Sequence, residues 1–90
     1  MFSLENKVAV VSGASSGLGQ QMALALARQG ASLAILARRL ERLEDFKPKL
    51  EKAGSPKVVA YKCDVTDSEN INKVASAVEK EFGQVDILLN

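Results

Sequence analysis

Ser12-Gly13-Ala14-Ser15-Ser16-Gly17-Leu18-Gly19 packs three glycines into seven residues, with two serine hydroxyls between the first and second. Such a stretch can bring a backbone against an anion. Gly13 suits a tight turn of positive φ, and Gly17 lets a pyrophosphate approach without a Cβ in the way. Gly19 lets a following helix lie close against the sheet. The amides of Ser16 to Gly19 and the positive end of that helix then face the anion, and Ser15 and Ser16 add hydroxyl donors. The spacing is Gly-x3-Gly-x-Gly, not Gly-x-Gly-x-x-Gly. A P-loop is excluded, because Leu18 and Gly19 stand where it needs Lys and Ser or Thr. The competing reading is a glycine-rich turn with no ligand.

Two further groups bear on that chemistry. Arg38 lies nineteen residues beyond Gly19, at the end of a strand-length apolar run. An acid in this region hydrogen-bonds the adenine ribose of NAD, whereas an arginine suits the 2′-phosphate of NADP, which guanidinium clasps through charge-assisted hydrogen bonds. Arg38 and the neighbouring Arg39 are therefore candidate phosphate contacts. NADP is the preferred cofactor and NAD is possible. Alternatively, both arginines open a solvated helix laced with Glu41, Arg42, Glu44 and Asp45. Asp64-Val65 ends another apolar run. There Asp64 can accept from the adenine amino group while Val65 packs on the ring, or Asp64 can serve as a turn or cap before Thr66.

The elements that must position these residues are legible as alternating periods. Lys7 to Ser12 is a β-branched apolar run, which marks a strand buried on both faces. Gly17 to Gln29 carries Leu18, Met22, Ala23, Leu26 and Ala27 at helical spacing, and Gly30 follows. Ser32 to Ala37 is a second strand. Leu40, Leu43, Phe46 or Lys47, and Leu50 keep helical spacing up to Gly54, with a kink or late restart expected at Pro48. Lys57 to Cys63 is a third strand. Thr66 with Glu69 reads as a capping box opening a helix along Ile71, Val74, Ala75, Val78 and Phe82. Gly83 closes it, and Val85 to Leu89 is a fourth strand. The order βαβαβαβ with short connections predicts an α/β fold, a Rossmann-type doubly wound parallel sheet of strand order 3-2-1-4.

Composition narrows the function classes. Hydrophobic residues make up 47% and charged residues 26% of the 90, the balance of a globular chain rather than a disordered one. Twelve basic and eleven acidic side chains leave a net charge of +1, so neither nucleic acid nor a membrane surface is an expected partner. With no His and one Cys, Cys63, the chain can assemble neither a zinc cluster nor an internal disulfide. A lone free thiol fits a reducing, cytoplasmic location. The longest apolar run, Met22 to Ala27, is far short of the roughly 20 residues that span a bilayer. Glu5 stands where a signal peptide's apolar core would begin.

Taken together, these motifs resemble the short-chain dehydrogenase/reductase family. Its Thr-Gly-x3-Gly-x-Gly signature is matched by Ser12 to Gly19 with Ser for Thr. Its Asp-Val pair is matched by Asp64-Val65. Its Asp-Ile-Leu-Val-Asn-Asn-Ala-Gly stretch begins at Asp86 and breaks off at Asn90, with Leu89 for Val. Within the family, Phe2 to Lys7 and Ile35 to Arg39 look like gluconate 5-dehydrogenase or 3-oxoacyl-carrier reductase relatives. The resemblance implies that Gly13, Ser15, Ser16, Gly17, Leu18 and Gly19 line the pyrophosphate, that Asp64 and Val65 hold adenine, and that Arg38 favours NADP. Many NADP-preferring members also carry a basic residue at the position of Ser16, which this chain lacks.

The family transfers hydride between a nicotinamide and an alcohol or ketone, using Ser, Tyr and a Lys four residues after the Tyr. The only tyrosine, Tyr61, has Lys62 directly beside it, and adjacent strand residues point to opposite faces. No catalytic residue is therefore assigned. Residues 1–90 are expected to be the N-terminal NAD(P)-binding portion of a family subunit, truncated before the catalytic half and inactive alone, with a homo-oligomeric full-length protein. Alternatives are a stand-alone nucleotide-binding or regulatory module and an interaction fragment with no ligand. An edge at the fourth strand and exposed apolar surface are further expectations.

Overall fold

The computed structural model describes residues 3–89; Phe2 and Asn90, which contribute to the resemblance, lie outside them. Seven elements follow one another: β1 (Val8–Ser12), α1 (Gly17–Arg28), β2 (Ser32–Ala37), α2 (Leu40–Ala53), β3 (Val58–Lys62), α3 (Ser68–Phe82) and β4 (Ile87–Leu89). The four strands form one parallel sheet in the order β3-β2-β1-β4, as expected. Strand addition runs outward from β1 to β3 and then reverses, placing β4 on the other side of β1. Crossovers of constant hand put helices on opposite faces before and after such a reversal.

The side chains obey that geometry. Ala9 and Val11 of β1, Leu33, Ile35 and Ala37 of β2, and Val58 of β3 pack with Ala23, Ala27, Leu43, Phe46 and Leu50 of α1 and α2. On the opposite face Val10, Ala34 and Cys63 pack with Val74 and Val78 of α3, flanked by Leu36, Tyr61 and Phe82. In β4 the register pairs Ile87 with Ala9 and Leu89 with Val11, so both join the first core, whereas Leu88 pairs with Val10 and is 63% exposed. The α3 face is thus incompletely covered, and β4 is a sheet edge with apolar surface beside it.

Several local expectations are corrected. In α1 the buried residues are Gly19, Ala23 and Ala27, whereas Leu18 is 69% exposed. Close packing against the turn selects the small residues as the inner face. In α3 Val74 and Val78 are buried but Ile71 and Ala75 are exposed, because a single helix cannot span the sheet face it covers. The α3 N-cap is Asp67 rather than Thr66: Asp67 accepts from the amides of Glu69 and Asn70 at 3.0 and 3.3 Å. Thr66 turns its hydroxyl to Asp64 instead. No late restart occurs at Pro48; α2 runs through it from Leu40 to Ala53. An interior proline costs a helix about 3 kcal/mol. Burial of Leu43, Phe46 and Leu50, each contributing about 1.5–3 kcal/mol, outweighs that cost.

Candidate functional site

β1 delivers Gly13 at the carboxyl edge of the sheet with φ +66°, the left-handed geometry the turn requires. The turn closes on itself: the Ser16 amide and hydroxyl donate to the Gly13 carbonyl at 3.0 and 2.8 Å. The Ser16 hydroxyl also accepts from the Gly19 amide at 3.3 Å, so Ser16 is the N-cap of α1. Gln20 donates to the Ser16 carbonyl. Among the described residues, the amides of Ser15, Gly17 and Leu18 donate to no protein group. These are the unpaired donors that make a helix start an anion seat.

The three glycines differ in what constrains them. A Cβ at Gly19 would lie 2.2 Å from the Gly13 carbonyl oxygen and 2.8 Å from its carbon, so the packing of α1 on the turn excludes any side chain. The close approach is therefore to the turn itself. A Cβ at Gly17 would meet nothing within 4 Å. No contact within the described chain requires glycine there, and the position is open at the surface.

Next to the turn lies a cavity of about 460 Å³, within the size range of small-molecule sites. Gly13 and Ser15 line it from the turn, Arg38 and Arg39 from the end of β2, and Val65 from the loop after β3. Gly17, Leu18 and Gly19 do not line it; they lie on the adjoining start of α1. Arg39 is the α2 N-cap position but makes no side-chain cap hydrogen bond, so its guanidinium is not spent on the helix. Val65 is exposed and lies between this cavity and the larger groove over the α3 face.

Asp64 adopts the turn role and reaches the site edge at once. Its Oδ1 accepts from the Thr66 amide at 2.9 Å and from the Thr66 hydroxyl at 2.7 Å, and its own amide donates to Asn70 Oδ1. The same oxygen lies 3.7 Å from Arg38 Nη2. The two hydrogen bonds from Thr66, and then the Arg38 charge, hold the Asp64 carboxyl below its ordinary pKa. A carboxylate at this edge is ionised at neutral pH and can accept from a ligand amine. The sequence pattern gives Thr66 as a helix cap and Arg42, which also lines the cavity, as part of a solvated helix, and it does not mark Asn70. Thr66 reaches Asp64 as a near neighbour in the chain, whereas the fold brings Arg42 to this edge.

Cys63 is buried and lines the cavity wall. Burial, and then the neighbouring Asp64 charge, push its thiol pKa up, which disfavours the nucleophilic thiolate. Tyr61 is likewise raised, by burial and then by Glu81, the opposite of the activation a proton-transferring tyrosine needs. No cluster of three or more potential metal ligands occurs among the described residues, and no described helix is long and apolar enough to cross a membrane.

The sequence model for short chain dehydrogenase matches residues 7–90. The chain belongs to the short chain dehydrogenase family. Farnesol dehydrogenase of Aedes aegypti is 49% identical over 84 residues, covering 93% of this chain and 34% of that enzyme. Among solved structures, a metagenomic short-chain oxidoreductase in complex with NADP superposes with a TM-score of 0.89 at 34% identity, covering 94% of this chain and 38% of that one. An NAD+-bound xylitol dehydrogenase superposes with a TM-score of 0.90 at 33% identity, covering 94% and 32%. This short chain dehydrogenase sequence therefore spans about a third of the length of these relatives.

Proposed function

We propose that this chain is the dinucleotide-binding portion of a short-chain dehydrogenase/reductase that uses NADP(H) to interconvert an alcohol and a ketone. The observation that carries the reading is the α1 start: three unpaired amides at Ser15, Gly17 and Leu18 beside a glycine that no internal contact requires. The pyrophosphate lies against those amides, with Ser15 and Ser16 at its edge. Adenine rests on Val65 and is held by Asp64. Arg38 and Arg39 select the 2′-phosphate, since no acid occupies the end of β2 to bind a free ribose hydroxyl. When bound, the nicotinamide supplies the hydride. This chain's own residues bind and orient the cofactor.

Proton transfer falls to residues beyond the described chain. Tyr61 is raised in pKa, packs on the α3 face, and has Lys62 on the opposite side of its strand. The cytoplasmic location and the homo-oligomeric state of the whole protein belong to the same proposal.

The test is titration of the protein with NADPH and NADH, followed by cofactor fluorescence, for the natural sequence and for Arg38→Gln. NADPH binding that weakens about tenfold or more on the substitution, with NADH unchanged, is the expected outcome, since a hydrogen bond to a charged group is worth about 1.5–3 kcal/mol. Equal affinity for the two cofactors in the natural protein defeats the NADP assignment. Tight cofactor binding by a protein that turns over no alcohol or ketone favours the nucleotide-binding regulatory module instead.

A further inference from the structure

We propose that Arg42 is a second specificity-determining residue for the adenylate 2′-phosphate, forming with Arg38 a two-guanidinium clamp across the 460 Å³ cavity; the inference rests on the NADP reading above. Arg42 is the third residue of α2, and side chains in a helix tilt back toward its N-terminus. Its guanidinium is thereby carried toward the loop after β2, and Arg42 lines the same cavity as Ser15 and Arg38.

The two arginines are not equivalent. Arg38 Nη2 already lies 3.7 Å from Asp64 Oδ1, so part of its charge is answered within the protein and an incoming anion also meets the Asp64 carboxylate. Arg42 makes no hydrogen bond or ion pair among the described residues. A phosphate monoester carries close to two negative charges at neutral pH, more than the partly neutralised Arg38 can balance. Arg39, which also lines the cavity with no ion pair among the described residues, and Arg42 supply the uncompensated positive charge.

Its position is also unfavourable for the fold alone. Cations at the first turn of a helix are repelled by the helix dipole, and Arg39 at the N-cap offers no side-chain cap. Glu41 is the only acid in that turn. Arg38, Arg39 and Arg42 therefore concentrate positive charge where the helix disfavours it, and a bound dianion relieves all of these repulsions together. A ribose hydroxyl relieves none of them, which makes Arg42 a discriminator between the two cofactors rather than a general contributor to binding.

The experiment is calorimetric titration with 2′,5′-ADP and 5′-AMP, which differ only in the 2′-phosphate, using the natural protein, Arg42→Gln, Arg42→Lys and Arg38→Gln, with circular dichroism to verify folding. The natural protein is expected to prefer 2′,5′-ADP. Arg42→Gln is expected to lose about tenfold of that preference without changing 5′-AMP affinity, and Arg42→Lys to retain part of it. Loss of the preference in Arg38→Gln but not in Arg42→Gln overturns the role of Arg42 and leaves the NADP reading standing. Equal weakening of both ligands by Arg42→Gln also overturns it, since that is a structural or general charge effect. No preference in the natural protein overturns the NADP reading and this inference together.

Discussion

Replacing Gly17 and Gly19 in turn by alanine separates the glycine that the fold requires from the one that a ligand requires. At Gly19 the new Cβ would stand 2.2 Å from the Gly13 carbonyl oxygen, and since the obstacle is backbone, either α1 or the turn must move. Overpacking of this kind costs about 1–3 kcal/mol, and a backbone clash belongs at the upper end. The better helix propensity of alanine returns about 1 kcal/mol. The net loss is about 2 kcal/mol, which lowers the melting temperature of a domain of this size by roughly 8–16 °C. At Gly17 the Cβ meets nothing, so Gly17→Ala is expected to hold stability or raise it by up to about 1 kcal/mol. In the proposed complex the same methyl group stands beside the free amides that would hold a phosphate. Losing one such charge-assisted hydrogen bond costs about 1.5–3 kcal/mol, so cofactor affinity falls by about 10–100-fold. Thermal melting by circular dichroism and NADPH titration on the two variants read both effects. Wild-type cofactor affinity in Gly17→Ala refutes the anion seat, and an unshifted melting temperature in Gly19→Ala refutes the packing constraint.

Two other outcomes follow from the loop before α3 and the entry to β4. Asp67→Ala is expected to lose about 1 kcal/mol in urea unfolding, the usual value of a helix N-cap, while Thr66→Ala leaves the cap intact; a larger loss for Thr66→Ala would restore the capping box at that residue. Asp64 is held below its ordinary pKa by Thr66, and Asp86 by the Val8 amide and then Gln84. A carboxylate depressed in the folded state adds stability above its unfolded pKa and loses it as pH falls through the folded value. Stability is therefore expected to drop on acidification below the ordinary carboxylate range, and Asp86→Asn to flatten that acid limb; an unchanged limb by urea titration across pH rules Asp86 out as a contributor.

The sequence by itself determined the alternation of strands and helices, because burial on both faces of a parallel sheet or on one stripe of a helix writes a local period into the chain. It also located the glycine-rich turn, since a left-handed residue and a side-chain-free approach leave glycine as the only choice at Gly13 and Gly19. Local pattern misjudged Leu18, Ile71 and Thr66, each of which fits a helical stripe or a cap in sequence. How close α1 packs to the turn, how much sheet α3 covers, and which of two adjacent polar residues reaches the helix amides are settled in three dimensions. Pro48 misled for the same reason, as burial along the rest of α2 overrode a local rule. The assembly of the candidate site was decided by tertiary structure alone. Arg38 and Asp64 are far apart in sequence, and they meet because β2 and β3 are paired in register with Ala37 opposite Lys62. Arg42 joins them because α2 starts just beyond the same strand end. Period and propensity act over a few residues, whereas a binding site is made where crossovers return distant strand ends to one edge of the sheet.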